Sequence, residues 1–282
     1  MTPIGCSKQT TSLGAAYLRI HYSADPAKDA AWAAGERAKS PRREWEREME
    51  MNENVYDGEP VFADYRDEWH CLLGDRALPL LQHSVYVGGW DAGQTLSPAF
   101  VLLQIAPGKL GYQVSCLLEV LPPGPEPMET FAPRVGRALS QRLPGLWDEI
   151  EHWGDHTLVQ RSGGDGRTAQ MIAAAHGFRI REASNEWNPR YSAVTWLLQR
   201  RIDERSPGFL VDGLHCPVLR DGFRGAYRYE ESPRSDGDGA GRILAMPLKN
   251  AYSHVQDALQ YAAMRVQQKF QSFHGAPRKV YG

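Results

Sequence analysis

The spacing of apolar residues changes character near residue 80 of this 282-residue chain. Before that point apolar positions are scattered among charges. Residues 1–20 read as a frayed lead ending in Ala15-Ala16-Tyr17-Leu18-Arg19-Ile20. Asp29 to Lys39, rich in Ala and Glu, predicts a helix, and Arg42 to Met51 predicts a second, strongly charged one beyond the Ser40-Pro41 break. Neither sustains a heptad, so a solvated helix or docking face is expected rather than a coiled coil. From Ser84 the pattern becomes regular. Val85–Asp91, Ala99–Ile105 and Tyr112–Leu121 read as strands, joined by connections short enough for an antiparallel meander.

After the Pro-Gly-rich break at residues 122–125, Glu129–Arg142 has the spacing of an amphipathic helix. His156–Gln160 reads as a fourth strand, followed by the glycine-rich loop at residues 162–166. Thr168–His176 predicts a helix, Phe178–Glu182 a strand and Arg190–Arg205 a helix. Gly225–Leu248 looks like an inserted β-hairpin, with Tyr227–Tyr229 facing Ile243–Met246 across a flexible loop at 232–241. The closing helix is expected from about His254 to Phe270. The organisation is thus a helical or linker segment over 1–80 and an α/β domain over 81–282, a mixed β-sheet flanked by helices.

Composition adds limits. A hydrophobic fraction of 42% and a mean hydropathy of -0.49 describe an ordinary globular chain. No apolar run nears the roughly 18 residues a membrane helix needs, and Met1–Cys6 lacks the regions of a signal peptide, so a cytoplasmic location is expected. Cys6, Cys71, Cys116 and Cys216 are scattered without a CxxC pair, which argues against a zinc site or a disulfide framework. The net charge of -2 hides an asymmetry. Residues 1–151 carry 14 Lys/Arg against 21 Asp/Glu, and residues 152–282 carry 18 against 13, so a phosphate-facing surface belongs in the second half.

Two aspartates carry the candidate chemistry. Asp91 closes the apolar strand Val85–Asp91 ahead of Ala92-Gly93; the plain alternative is a turn-capping residue. Asp257 lies in the first turn of the closing helix, where the helix dipole favours its charge and where a purely stabilising role is the alternative. Ser253 as N-cap with Gln256 three positions on forms a capping box in sequence. Val255, Ala258, Leu259, Ala262, Val266 and Phe270 then make a stripe that faces the sheet.

Trp90-Asp91-Ala92-Gly93 and Leu248–Ala258, with Asn185–Arg190 and Gly222–Tyr229 between them in order, resemble the C-terminal nuclease half of tailed-phage terminase large subunits. Upstream, His21–Pro26 and the region of Trp45 resemble the segment joining motor to nuclease, so the likeness spans most of residues 15–265. The resemblance implies a ribonuclease H-like fold and two-metal hydrolysis of double-stranded DNA during genome packaging. Two Mg²⁺ or Mn²⁺ ions would lie about 3.5–4 Å apart, Asp91 bridging both and Asp257 binding one. Lys249, Arg161, Arg167 and Arg228 are the implied DNA contacts, and His254 could touch a phosphate or steady Asp257. A motor ATPase, the terminase small subunit and the portal protein are the implied partners.

Two departures accompany the likeness. The family's third carboxylate, at the end of the fourth strand, falls on Gln160, a poorer ligand for a hard cation; Asp165, Asp155 and Glu119 are the candidates to replace it. No GxxxxGK[ST] phosphate loop occurs, so the ATPase is expected outside this sequence. The competing readings are a catalytically weakened module that docks DNA or the portal, and a resolvase- or transposase-like relative.

Overall fold

The computed structural model describes residues 5–10, 16–39, 45, 49–51, 59–92, 97–108, 111–145, 149–159, 166–231 and 243–275. The chain divides into two compact units, Met1–Glu59 and Pro60–Gly282.

In the first unit, strands β1 (Cys6–Thr10) and β2 (Ala16–Ile20) pair antiparallel, with Cys6 opposite Ile20. The expected frayed lead is therefore a hairpin, ordered by backbone pairing rather than by a buried apolar face: Leu18 and Ile20 are both exposed. Helix α1 (Ala30–Lys39) begins where Asp29 Oδ1 accepts the Trp32 N–H at 2.9 Å. Tyr22, Trp32 and Trp45 pack their rings together, and Trp45 is fully buried. The charged helix expected over Arg42–Met51 lies largely outside the described residues.

The second unit opens with α2 (Asp67–His70) and β3 (Cys71–Leu72), followed by β4 (Val85–Asp91), β5 (Ala99–Gly108) and β6 (Gly111–Val120). Then come α3 (Met128–Arg142), β7 (Glu151–Gly154), α4 (Ala169–Ala175), β8 (Ile180–Glu182) and α5 (Trp187–Gln199). A small hairpin of β9 (Arg201–Asp203) and β10 (Ser206–Pro207) precedes β11 (Phe209–Asp212) and α6 (Pro217–Asp221). The chain ends with β12 (Tyr229–Glu231), β13 (Ile243–Pro247) and α7 (Ser253–Gly275).

Seven of these strands form one mixed sheet in the order β3-β11-β6-β5-β4-β7-β8. β4, β5 and β6 are the expected antiparallel meander, while β11 and β3 on one side and β7 and β8 on the other run parallel to their neighbours. Strand alternation sorts the core into two layers. Val87, Val101, Leu103 and Ile105 pack against Val194 and Leu197 of α5 and Ala258, Leu259 and Val266 of α7. Tyr86, Trp90, Phe100 and Leu102 face Phe131, Val135 and Leu139 of α3 and Ile172 of α4. The apolar stripe read on the closing helix is buried along its whole length. No helix among the described residues is long and apolar enough to cross a membrane.

Gly89 explains how α7 comes so close to the central strand. A Cβ there would stand 2.0 Å from the Ala258 carbonyl oxygen, so only glycine lets the helix rest on the strand backbone. That contact places the N-terminal part of α7 over the end of β4, and because the helix begins at Ser253, Asp257 lies just beyond the first turn rather than in it.

Three local expectations are corrected. The helix expected to run to Arg205 stops at Gln199, and the β9–β10 hairpin takes the residues beyond. The capping box is not formed: the Gln256 side chain donates to the Leu219 carbonyl at 3.0 Å, and Asn250 Oδ1 instead accepts the Tyr252 N–H at 2.9 Å. The fourth strand lies at Glu151–Gly154, and the segment read as that strand forms a 3-10 turn, His156–Val159. β12 and β13 form the expected antiparallel pair, though β12 begins at Tyr229 rather than Tyr227.

Candidate active site

Three carboxylates meet at one edge of the sheet. Asp91 is the last residue of β4 and shares with Val87 and Gly89 the face covered by α7. β7 runs parallel to β4 with Gly154 opposite Trp90, so both strands end at the same edge and Asp155 falls beside Asp91. The Asp155 N–H continues the pairing, donating to the Trp90 carbonyl at 3.3 Å. Asp257 comes down on the pair from α7. All three side chains are buried, at 6%, 8% and 4% residue exposure.

The residue at the end of the fourth strand is thus Asp155, not Gln160. Glycine is needed at 154 because a Cβ there would meet the Trp90 carbonyl oxygen at 2.8 Å, and the chain then turns as Asp155 Oδ1 accepts the Thr157 N–H at the start of the 3-10 turn. Gln160, Arg161 and Asp165 lie outside the described residues. Glu119 is committed elsewhere. Its two oxygens accept the N–H groups of Val218 and Leu219 at 2.8 and 2.7 Å, and it does not line the cleft.

The cleft holds about 490 Å³ and is lined by Asp91, Asp155, Asp257 and their neighbours His156, Thr157, Asn185, Arg190, Lys249, His254 and Tyr261. Each aspartate is held differently. His254 Nδ1 stands 2.7 Å from Asp91 Oδ2. Arg190 donates to Asp257 Oδ1, and Lys249, whose side chain is 70% exposed, donates to Oδ2. Arg190 is itself fixed: it donates to Asn185 Oδ1 at 3.2 Å, and its guanidinium lies 4.6 Å from the centre of the Tyr261 ring. The Tyr261 hydroxyl donates to the same Asn185 oxygen at 3.2 Å.

Burial above all, and then the neighbouring Asp257 and Asp155 charges, push the Asp91 carboxyl above its usual range; His254 works the other way. The same contact, with Asp91 first among its causes, raises His254 above the usual histidine value.

Such a donor set suits a hard divalent cation. Among the described residues, Asp91 Oδ1 and Asp155 Oδ2 carry no hydrogen bond. Thr157 Oγ1 and His156 Nδ1 are buried in the cleft wall without hydrogen-bond partners, Nδ1 lying 3.5 Å from Asp155 Oδ1 outside hydrogen-bonding geometry. In their present pairings no three described His, Cys, Asp or Glu side chains converge on one point. Asp257 turns one oxygen to Arg190 and the other to Lys249, so an ion there would take the place of the exposed Lys249 ammonium.

Of the basic residues expected on DNA, Lys249 is in the cleft. Arg167 lies 3.5 Å from Glu129 at the start of α3, and Arg228 gives its carbonyl to the Leu248 N–H; neither lines the cleft. Arg190, Tyr261 and Asn185 escaped functional assignment in the sequence. The one signal, for Asn185 and Arg190, was that residues 185–190 belong to the segments resembling terminases.

No protein-family model matches the sequence, and no curated protein matches it. Solved structures do. One crystal form of the large terminase from a thermophilic bacteriophage aligns with a TM-score of 0.53 at 12% identity, over 85% of this chain and 52% of that one. A second crystal form of the same terminase gives 0.51 at 10% identity, over 88% and 55%. The P22 large terminase nuclease domain gives 0.50 at 18% identity, over 74% of this chain and 92% of that domain. The fold is that of a phage large-terminase nuclease domain. The chain spans about half the length of the thermophilic phage's large terminase. Within the terminase nuclease fold, the carboxylate cleft sits where the two parallel strands β4 and β7 end beneath the first turn of α7.

Proposed function

We propose that this protein is a divalent-metal-dependent endonuclease that cuts double-stranded DNA, with Asp91, Asp155 and Asp257 holding Mg²⁺ or Mn²⁺. One observation carries the reading: three buried carboxylates, from two strand ends and a helix, line a single open cleft. Burying like charges together is costly unless a cation joins them. A divalent ion held there would supply Lewis acidity, lowering the pKa of an attacking water and offsetting charge on the leaving oxygen. Asp91 and Asp155 would hold the ion, since each has one oxygen free of hydrogen bonds among the described residues. Lys249, on an exposed arm at the cleft mouth, moves from Asp257 to a phosphate oxygen of the DNA. His254 holds Asp91 in orientation until then. Genome packaging, with a motor ATPase, a small subunit and a portal as partners, is the setting the fold suggests for this activity.

The pairing of both Asp257 oxygens with cations favours a second reading, a DNA-docking module without catalysis. Incubating supercoiled plasmid with the protein in Mn²⁺ or EDTA separates the two. Endonuclease activity predicts nicking and linearisation in Mn²⁺ alone, abolished in Asp91→Ala. Retention of plasmid on the protein with no cutting under either condition supports docking instead.

A further inference from the structure

The role of Arg190 rests on the nuclease reading and deepens it. We infer that Arg190 is a built-in cation of the carboxylate cleft, a positioning residue that limits the site to one divalent ion until DNA arrives. A surface arginine would swing away from an incoming metal; this one cannot. Its side chain is only 8% exposed, its guanidinium stacks on Tyr261, and Asn185 and Asp257 accept its hydrogen bonds. An arginine is not deprotonated in a protein, so its charge is permanent. Lys249, paired with the same carboxylate, is different: at 70% exposure its ammonium is free to leave.

Charge counting gives the consequence. Once an incoming ion displaces the exposed Lys249 ammonium, Asp91, Asp155 and Asp257 bring three negative charges and Arg190 one fixed positive charge, so a single divalent ion neutralises these four groups. A second ion would leave these buried carboxylates and Arg190 with two uncompensated positive charges, which is unfavourable. The negative charge of a DNA phosphate offsets part of that penalty, so the second ion enters with the substrate. Geometry points the same way. Arg190 and Gln260 hold Asp257 Oδ1, Gln260 Nε2 at 3.4 Å, so only Oδ2 can turn to the cleft.

The test is Mn²⁺ stoichiometry, read by the electron paramagnetic resonance of free Mn²⁺ in titrations of the full chain without DNA. The native protein is expected to bind one ion, and Arg190→Lys, which keeps the charge, also one. Arg190→Gln is expected to bind two, with the first held roughly tenfold more tightly or better. Melting curves run beside the titrations show which variants are folded. Two ions on the native protein, or one ion on folded Arg190→Gln, overturns the inference and leaves the nuclease reading standing. No ion on the native protein overturns both.

Discussion

Asp91 and Asp212 are both buried aspartates at the C-terminal ends of parallel strands of one sheet, yet their surroundings give them opposite work. Asp212, at the end of β11, is saturated. Its Oδ1 accepts the N–H groups of Leu214 and His215, each at 3.1 Å. Its Oδ2 accepts the Leu78 N–H at 2.8 Å and lies 3.4 Å from Arg142 Nη2 and 3.2 Å from His215 Nδ1. That carboxylate ties α3 and the segment before β4 to the sheet. Asp91 has one histidine on one oxygen and a cleft in front of the other. Position at a strand end therefore does not mark a reactive aspartate; unspent lone pairs facing open space do.

The comparison breaks most sharply on activity. Asp91→Asn and Asp155→Asn are each expected to cut plasmid cleavage by about a thousandfold, since a metal site is worth several kcal/mol of transition-state stabilisation. Calorimetric melting is expected to show stability unchanged or slightly raised in Asp91→Asn, because burial already disfavours that charge. Asp212→Ala inverts the result. It strands the Arg142 charge and three backbone donors, so denaturant titration is expected to show a loss of about 3–5 kcal/mol, with Mn²⁺ affinity of the folded fraction unchanged. Gly89→Ala falls between, because the added methyl pushes α7 off β4 and Asp257 away from Asp91. A loss of about 1–3 kcal/mol is expected, with weaker Mn²⁺ binding beside it.

The smallest effect sharpens the contrast with Glu119, a strand-end carboxylate spent on backbone donors. Burial pushes its carboxyl up to about 7, despite two N–H groups that favour the charged form. The folded state holds this proton more tightly than the unfolded chain, whose value is the ordinary 4.5. The stability it contributes is complete below 4.5 and is lost as pH rises through 7. Thermal melts from pH 4.5 to 7.5 are expected to show a shallower decline in Glu119→Gln than in the native protein.

The central strand, the meander and the closing helix were legible because long apolar runs and a 3.6-residue stripe report burial directly. β4 ends at Asp91 just as its residues suggest. β7 was misplaced for a physical reason. Glu151-His152-Trp153-Gly154 is a strand by pairing, with a histidine that accepts the Trp90 indole N–H at 3.0 Å, and little in its composition says so. Thr157-Leu158-Val159 has the β-branched look of a strand, but an aspartate-capped turn claims it. β3 and β11 span two and four residues, too short for any period. Arg190 looked like an ordinary helix residue, since nothing local announces that its carboxylate partner, Asp257, lies on a helix 67 positions away.

The most direct test of the whole account is plasmid cleavage in Mn²⁺ by the native chain, Asp155→Asn and Asp165→Asn side by side. The account predicts cutting by the native protein and by Asp165→Asn, and none above the EDTA control by Asp155→Asn. Full activity in Asp155→Asn with loss in Asp165→Asn would contradict it, and would make Asp165 the third carboxylate.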